Sequence, residues 1–66
     1  MAYTVRQARM LADKTQRESA SAIGVCLQTY RKIEKNPEIA TVHQAKTLSS
    51  FFGLPYDAIF FDSESN

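Results

Sequence analysis

The 66-residue chain has a single cysteine, Cys26, and a single histidine, His43. One cysteine excludes an intramolecular disulfide, and without a Cys/His cluster there is no zinc site. The two staples on which small domains most often rely are therefore missing, in a chain whose size makes any core marginal. Stability must come from packing, helped where available by self-association. No apolar run approaches the roughly 18 residues of a membrane span. No basic segment leads into an apolar one as in a secretory signal. A cytoplasmic protein without a membrane partner is expected. Nowhere do apolar and polar residues alternate over six or more positions, so there is no candidate strand. No nucleophile–base–orienter set and no ligand set is present, so neither an enzyme nor a metal or cofactor is expected.

A large excess of one charge is also missing, since the net charge is +1. The charges are nevertheless sorted along the chain. Residues 1–36 carry seven Lys and Arg against three acids, net +4, and residues 37–66 carry one Lys against four acids, net −3. A basic front half suits an anionic partner. The plain alternative is ordinary surface scatter in a short chain.

Helix starts are well marked. Thr4 with Gln7, Thr15 with Glu18 and Thr41 with Gln44 each form a Thr-x-x-Gln/Glu capping box ahead of a periodic segment. The spacing predicts an all-α fold with helices over about 5–13, 16–23, 27–35, 42–52 and 56–61. Their inward faces are Val5, Ala8 and Ala12; Ala20 and Ile23; Tyr30 and Ile33; Val42, Ala45, Leu48, Ser49 and Phe52; and Ile59 with Phe60. One domain is expected over 1–61, followed by a polar tail, "DSESN", that frays at 62–66.

Between the second and third segments stands Gly24. Glycine takes the left-handed conformation without a Cβ penalty, so it can reverse the chain sharply and send the next helix off at a large angle. Val25 then fills the corner. This is a helix-turn-helix arrangement. It leaves one face of the third helix free, and that face carries Leu27, Gln28, Arg31, Lys32 and Lys35. Such side chains can reach base edges and phosphates in a major groove.

The stretches "AR" at 8–9, "TQRESA" at 15–20, "IGV" at 23–25, "TYRKIEKN" at 29–36 and "FFGLPYDAIFF" at 51–61 resemble the lambda-repressor-like, Cro-type helix-turn-helix family of DNA-binding domains. The resemblance covers residues 4–61. It implies a compact five-helix domain that binds a double-stranded DNA operator as a homodimer. The closing segment looks most like small regulators of phages and mobile elements. By the same resemblance, Leu27, Gln28 and Lys32 face bases, and Arg31, on the same free face of the helix, is expected to join them. The resemblance places Gln16 and Thr29 at phosphate, with Gln16 also bracing a recognition-helix side chain; Arg17, Cys26 and Lys35 are expected to meet phosphate as well. Arg9 and Glu34 correspond to a structural ion pair. Apart from the resemblance, Phe51, Phe60 and Phe61 cannot all fit a core this small, so Phe60 and Phe61 are expected at a dimer interface.

The chain departs from the family pattern in several places. Leu27 is apolar where polar residues are common. Lys14 replaces a large apolar residue, which predicts a thin corner of the core. Cys26 takes the place of a Ser or Thr cap. Asn36 replaces the glycine after the third helix, where a left-handed stop is expected ahead of Pro37. Two function classes follow. One is a phage or prophage repressor-type transcriptional regulator reading a palindromic operator, with a DNA-binding antitoxin as its variant. The other is a protein-interaction module that kept the fold without DNA affinity. Retention on DNA that depends on salt separates them.

Overall fold

Three threonines set where helices begin. Thr4, Thr15 and Thr41 are each extended, and each accepts through its hydroxyl from the N–H three residues on, at 3.0 Å. Gln7, Glu18 and Gln44 return the bond to the threonine N–H at 2.9, 2.9 and 3.0 Å. Each box thereby satisfies two of the amide groups a helix start leaves orphaned. The computed structural model describes residues 3–60. Over this range the chain forms α1 (Val5–Leu11), α2 (Gln16–Ala22), α3 (Leu27–Lys35), a 3-10 turn (Pro37–Ile39), α4 (Val42–Phe52) and α5 (Tyr56–Phe60). Among the described residues there is no strand. Phe61 and the tail 62–66 lie outside them.

Three helices end by one device. Asp13, Gly24 and Gly53 have φ of 59°, 71° and 73°. Each donates its N–H to the carbonyl three residues back: Asp13 to Met10, Gly24 to Ser21, Gly53 to Ser50. The residue after each donates five back: Lys14 to Arg9, Val25 to Ala20, Leu54 to Ser49. This paired closure satisfies the last carbonyls and turns the chain abruptly. It also corrects two boundaries. α1 stops at Leu11 rather than 13, because Asp13 is left-handed, and α2 stops at Ala22 rather than 23.

α3 ends differently from the expectation. Asn36 has φ −141° and ψ 84°, so it is not left-handed. The following Pro37 excludes helical geometry from its neighbour, and that steric restriction alone stops the helix. Pro37 then opens the 3-10 turn, where its missing N–H costs nothing.

The core draws on all five helices: Val5 and Ala8, Ala20, Tyr30 and Ile33, Leu48 and Phe52, and Ile59. Tyr30, Ile33, Leu48 and Val5 are fully buried. Each such side chain contributes about 1.5–3 kcal/mol by leaving water, which is what holds helices too short to persist alone. Ser19 is fully buried as well, and its hydroxyl donates to the Thr15 carbonyl at 2.9 Å. The Tyr3 N–H donates to the Ala58 carbonyl at 2.7 Å and ties the start of the chain to α5.

One predicted core position is wrong. Val42 is 61% exposed. It occupies the first position of α4, a turn before the segment other helices cover, so the apolar stripe begins at Ala45. The corner at Lys14 is closed by another route. The Lys14 ammonium lies over the half-buried Phe51 ring, 4.9 Å from its centroid.

Candidate nucleic-acid interface

α3 has a buried side and an outward side. Tyr30 and Ile33 anchor it in the core. With about 100° per residue, Gln28 and Lys35 project almost directly away from them. Arg31 and Lys32 flank that pair, about 100° apart. All four are exposed. The stripe therefore offers one amide and three cations along about two turns. Leu27 and Thr29 lie at its two margins, both half-buried.

What fixes this face is a polar junction where α1, α2 and α3 meet. Glu34 is its centre. Its Oε2 accepts from Arg9 Nε at 2.5 Å and from the Tyr30 hydroxyl at 2.7 Å, and its Oε1 accepts from Gln16 Nε2 at 3.1 Å. The Arg9 and Glu34 side chains are only 13% and 7% exposed. A second Arg9 nitrogen, Nη1, donates to the Lys14 carbonyl at 2.9 Å and braces the end of α1. Burial by itself raises the Glu34 carboxyl. The hydrogen bonds from Arg9, Tyr30 and Gln16, with the Arg9 charge, outweigh it and hold the group below its usual range. Tyr30 moves the other way, because burial, the bond to Glu34 and the carboxylate charge all favour the neutral phenol.

Gln16, half-buried at the first position of α2, links this junction to the surface. While its nitrogen donates to Glu34, its Oε1 accepts from Arg31 Nε at 3.3 Å. Arg17, beside it, is exposed. Cys26 is the residue before α3 and makes no capping hydrogen bond. Its sulfur lies 3.2 Å from the Thr29 hydroxyl, which, with the first amides of α3, lowers the thiol pKa from its ordinary value.

The structure thus brings Gln16, Arg31, Glu34 and Arg9 into one network and sets Gln28, Lys32 and Lys35 on the open face beside it. Arg17 lies at the start of α2, and Cys26 and Thr29 lie at the start of α3. Phe60 is elsewhere, half-buried at the end of α5 and stacked on Tyr56 at 5.6 Å between ring centroids. Phe61 lies outside the described residues. One member of the network is not singled out by the sequence, and for one bond the sequence names the brace but not its partner. Tyr30 reads as core, and only its spacing of four from Glu34 hints at the hydroxyl bond. The Gln16–Arg31 bond spans fifteen residues and leaves no local signature. Among the described residues no His/Cys/Asp/Glu group could hold a metal ion, and no helix is long and apolar enough to cross a membrane.

Comparison with known proteins adds two findings. A family model described as helix-turn-helix matches residues 5–59. The cryptic phage CTXphi transcriptional repressor RstR of Vibrio cholerae is 34% identical over 62 residues, covering 94% of this chain and 56% of the relative. The chain thus spans just over half the length of the curated relative it matches. No solved structure matches it.

Proposed function

The chain belongs to the helix-turn-helix family, and from that premise we propose that it is a sequence-specific double-stranded DNA-binding protein acting as a repressor-type transcriptional regulator. The observation that carries the reading is the outward face of α3. Gln28, Arg31, Lys32 and Lys35 are all exposed on a helix whose opposite side is locked by Tyr30, Ile33 and Glu34. A helix fixed from behind and armed with an amide and cations in front suits the major groove, where Gln pairs with adenine and Arg or Lys with guanine. The similarity to a phage repressor supports regulation as the purpose of the binding.

In this reading Gln28 and Lys32 meet base edges, and Leu27, at the margin, offers a thymine methyl an apolar contact. Lys35 and Arg17 meet phosphate, and Cys26 and Thr29 approach the backbone where α3 begins. Gln16 adds the N-terminal end of α2, where free amides favour an anion.

Two copies act together. The longest dimension of the molecule is 29 Å, and adjacent half-sites on one face of a duplex lie about 34 Å apart. A single copy therefore reads one half-site, and a palindrome is read by a two-fold dimer. The end of α5, with the Tyr56–Phe60 stack, supplies the pairing surface.

The test is selection of bound sequences from random duplexes, followed by titration of the winner at several salt concentrations. A palindromic consensus and an affinity that falls steeply with salt are expected. Failure to retain any duplex at low salt refutes the proposal and favours a protein-interaction module.

A further inference from the structure

We propose that the shallow groove between α2 and α4 is a docking site for an acidic segment of a partner protein, one in which carboxylates flank an apolar side chain. The site lies apart from the outward face of α3 and does not rest on the DNA-binding reading.

α2 and α4 pack against each other. On their outward sides two hollows of about 470 and 440 Å³ adjoin, sharing Ala22 and Phe51. Both residues are half-buried, and together they give the groove an apolar floor. The groove is open along its length, so it cannot surround a small molecule as a ligand pocket does. A segment of chain laid along it is the shape that fits.

Cations stand around this floor. Lys14 and Arg17 lie on the α2 side and Lys46 on the α4 side. Lys46 is the one Lys or Arg of residues 37–66, and folding sets it beside the basic front half of the chain. The only ion pair among the described residues joins Arg9 to Glu34, so none of the three cations has a carboxylate partner there. Glu18 is the single acid lining the two hollows, and its Oε1 already accepts from the Thr15 N–H at 2.9 Å. Three cations against one carboxylate attract an anion. Exposed cations alone are ordinary; an aromatic ring between them sets this surface apart.

The floor selects the kind of anion. The Lys14 ammonium lies over the Phe51 ring. A carboxylate that meets this ammonium brings its neighbouring side chain against Phe51 and Ala22, where an apolar group gains by leaving water. A DNA duplex fits less well. It is a rigid cylinder with its charge outermost, and its phosphates bring only acceptors to a rim that holds Glu18. A peptide brings N–H donors that Glu18 can accept, along with the carboxylates and the apolar anchor.

The test uses the full chain. Short peptides of random sequence are selected for binding to it at physiological salt, and the winner is titrated while the backbone amide resonances are followed. Winners should carry Asp or Glu on both sides of a Leu, Phe or similar residue, and the shifts should centre on residues 17–22 and 46–51. Replacing the winner's apolar residue by serine should remove most of the binding. Arg17→Gln and Lys46→Gln, both at exposed positions and checked by thermal melts, should each weaken binding by roughly 1.5- to 5-fold, and the double variant by more than either. Recovery of no peptide, or of neutral or basic ones, overturns the proposal, as do shifts centred elsewhere. A serine-substituted peptide that binds as tightly as its parent reveals charge attraction without a site, and unchanged affinity in the double variant removes the role of the cations; each also defeats it. Two controls separate other occupants. A duplex of unselected sequence that moves Lys46, Thr47 and Ser50 would make this a nucleic-acid surface. Shifts there that depend on protein concentration without peptide would make it a face between copies. Either result overturns the assignment to an acidic partner.

Discussion

The Arg9–Glu34 junction allows a quantitative test of what holds the three-helix corner together. The perturbation is a double-mutant cycle: Arg9→Met, Glu34→Leu and the pair. Removing Glu34 leaves Arg9 without its carboxylate at 13% exposure and strips the fully buried Tyr30 hydroxyl of its acceptor. An orphaned partner of a buried ion pair costs about 3–5 kcal/mol, and slight solvent access trims the upper end. Removing Arg9 should be milder, about 2–3 kcal/mol, because Glu34 keeps its bonds from Tyr30 and Gln16. The double variant leaves no uncompensated charge and should fall short of the summed losses by about 1–3 kcal/mol. These are large changes against a total stability of about 3–10 kcal/mol for a chain this short. Each kcal/mol corresponds to roughly 4–8 °C in Tm. Urea denaturation followed by far-UV circular dichroism is the assay, with all four proteins in the same stabilising osmolyte so that Glu34→Leu retains a folded baseline. Losses that add to within about 0.5 kcal/mol would refute the reasoning.

Further predictions concern the ends of helices, pH and salt. Cys26→Ser places a hydroxyl where α3 has no side-chain cap and should raise stability by about 0.5–1 kcal/mol; an unchanged melting temperature would mean the amides there are already satisfied by water. Gly24→Ala meets no atom within 4 Å, so its effect isolates the φ of 71°. It should cost about 1 kcal/mol, the left-handed penalty less the entropy removed from the unfolded chain, and a stabilised variant would contradict the turn geometry. Stability should fall at both ends of the pH range. The depressed Glu34 pKa gives stability that is present above the ordinary carboxylate range and lost as pH falls through the folded-state value. The raised Tyr30 pKa gives stability that is present below the phenol's ordinary value of 10.0 and lost as pH rises beyond it. Tyr30→Phe should flatten that alkaline limb, and persistence of the limb would place its origin elsewhere. Lys35→Ala should weaken binding to every duplex alike and reduce the salt slope by about one unit, whereas a base-selective loss would place Lys35 among the readers.

How much was legible in the sequence depended on how local the physics was. The capping boxes at Thr4, Thr15 and Thr41 are closed within four residues, and all three helix starts were readable from them. Gly24 announced the turn for the same reason. α3 and α4 agree with their expected bounds because each is bracketed by such signals. Asp13 was not readable as a left-handed residue, since most aspartates are not, and so α1 was drawn two residues too long. The 3-10 turn at Pro37–Ile39 is too short to show a period. Asn36 departs from the left-handed expectation because its proline neighbour restricts it to extended geometry, while the stop at Pro37 is as expected. Val42 misled because periodicity describes a face and not how far along it the neighbouring helices extend. The outward face of α3 could be named residue by residue. That Gln16 braces a side chain of α3 is an expectation of the sequence; that the side chain is Arg31 and that Glu34 holds Gln16 from behind is not, because those bonds exist only once α2 and α3 are packed.

Glu34 also has a genetic consequence. One carboxylate joins three helices and, through Gln16, touches the outward face of α3. A lesion at Arg9 or Glu34 would therefore lower the melting point and loosen the α3 face at once. With so small a margin of stability, such alleles should be conditional: occupancy retained in the cold, lost on mild warming and regained on cooling. Changes at Gln28 or Lys32, whose side chains stand outside the junction, should behave oppositely, altering which sequence is held at every temperature. A screen for heat-sensitive and altered-site variants should sort the residues of α3 into those two classes along the line between its buried and exposed sides.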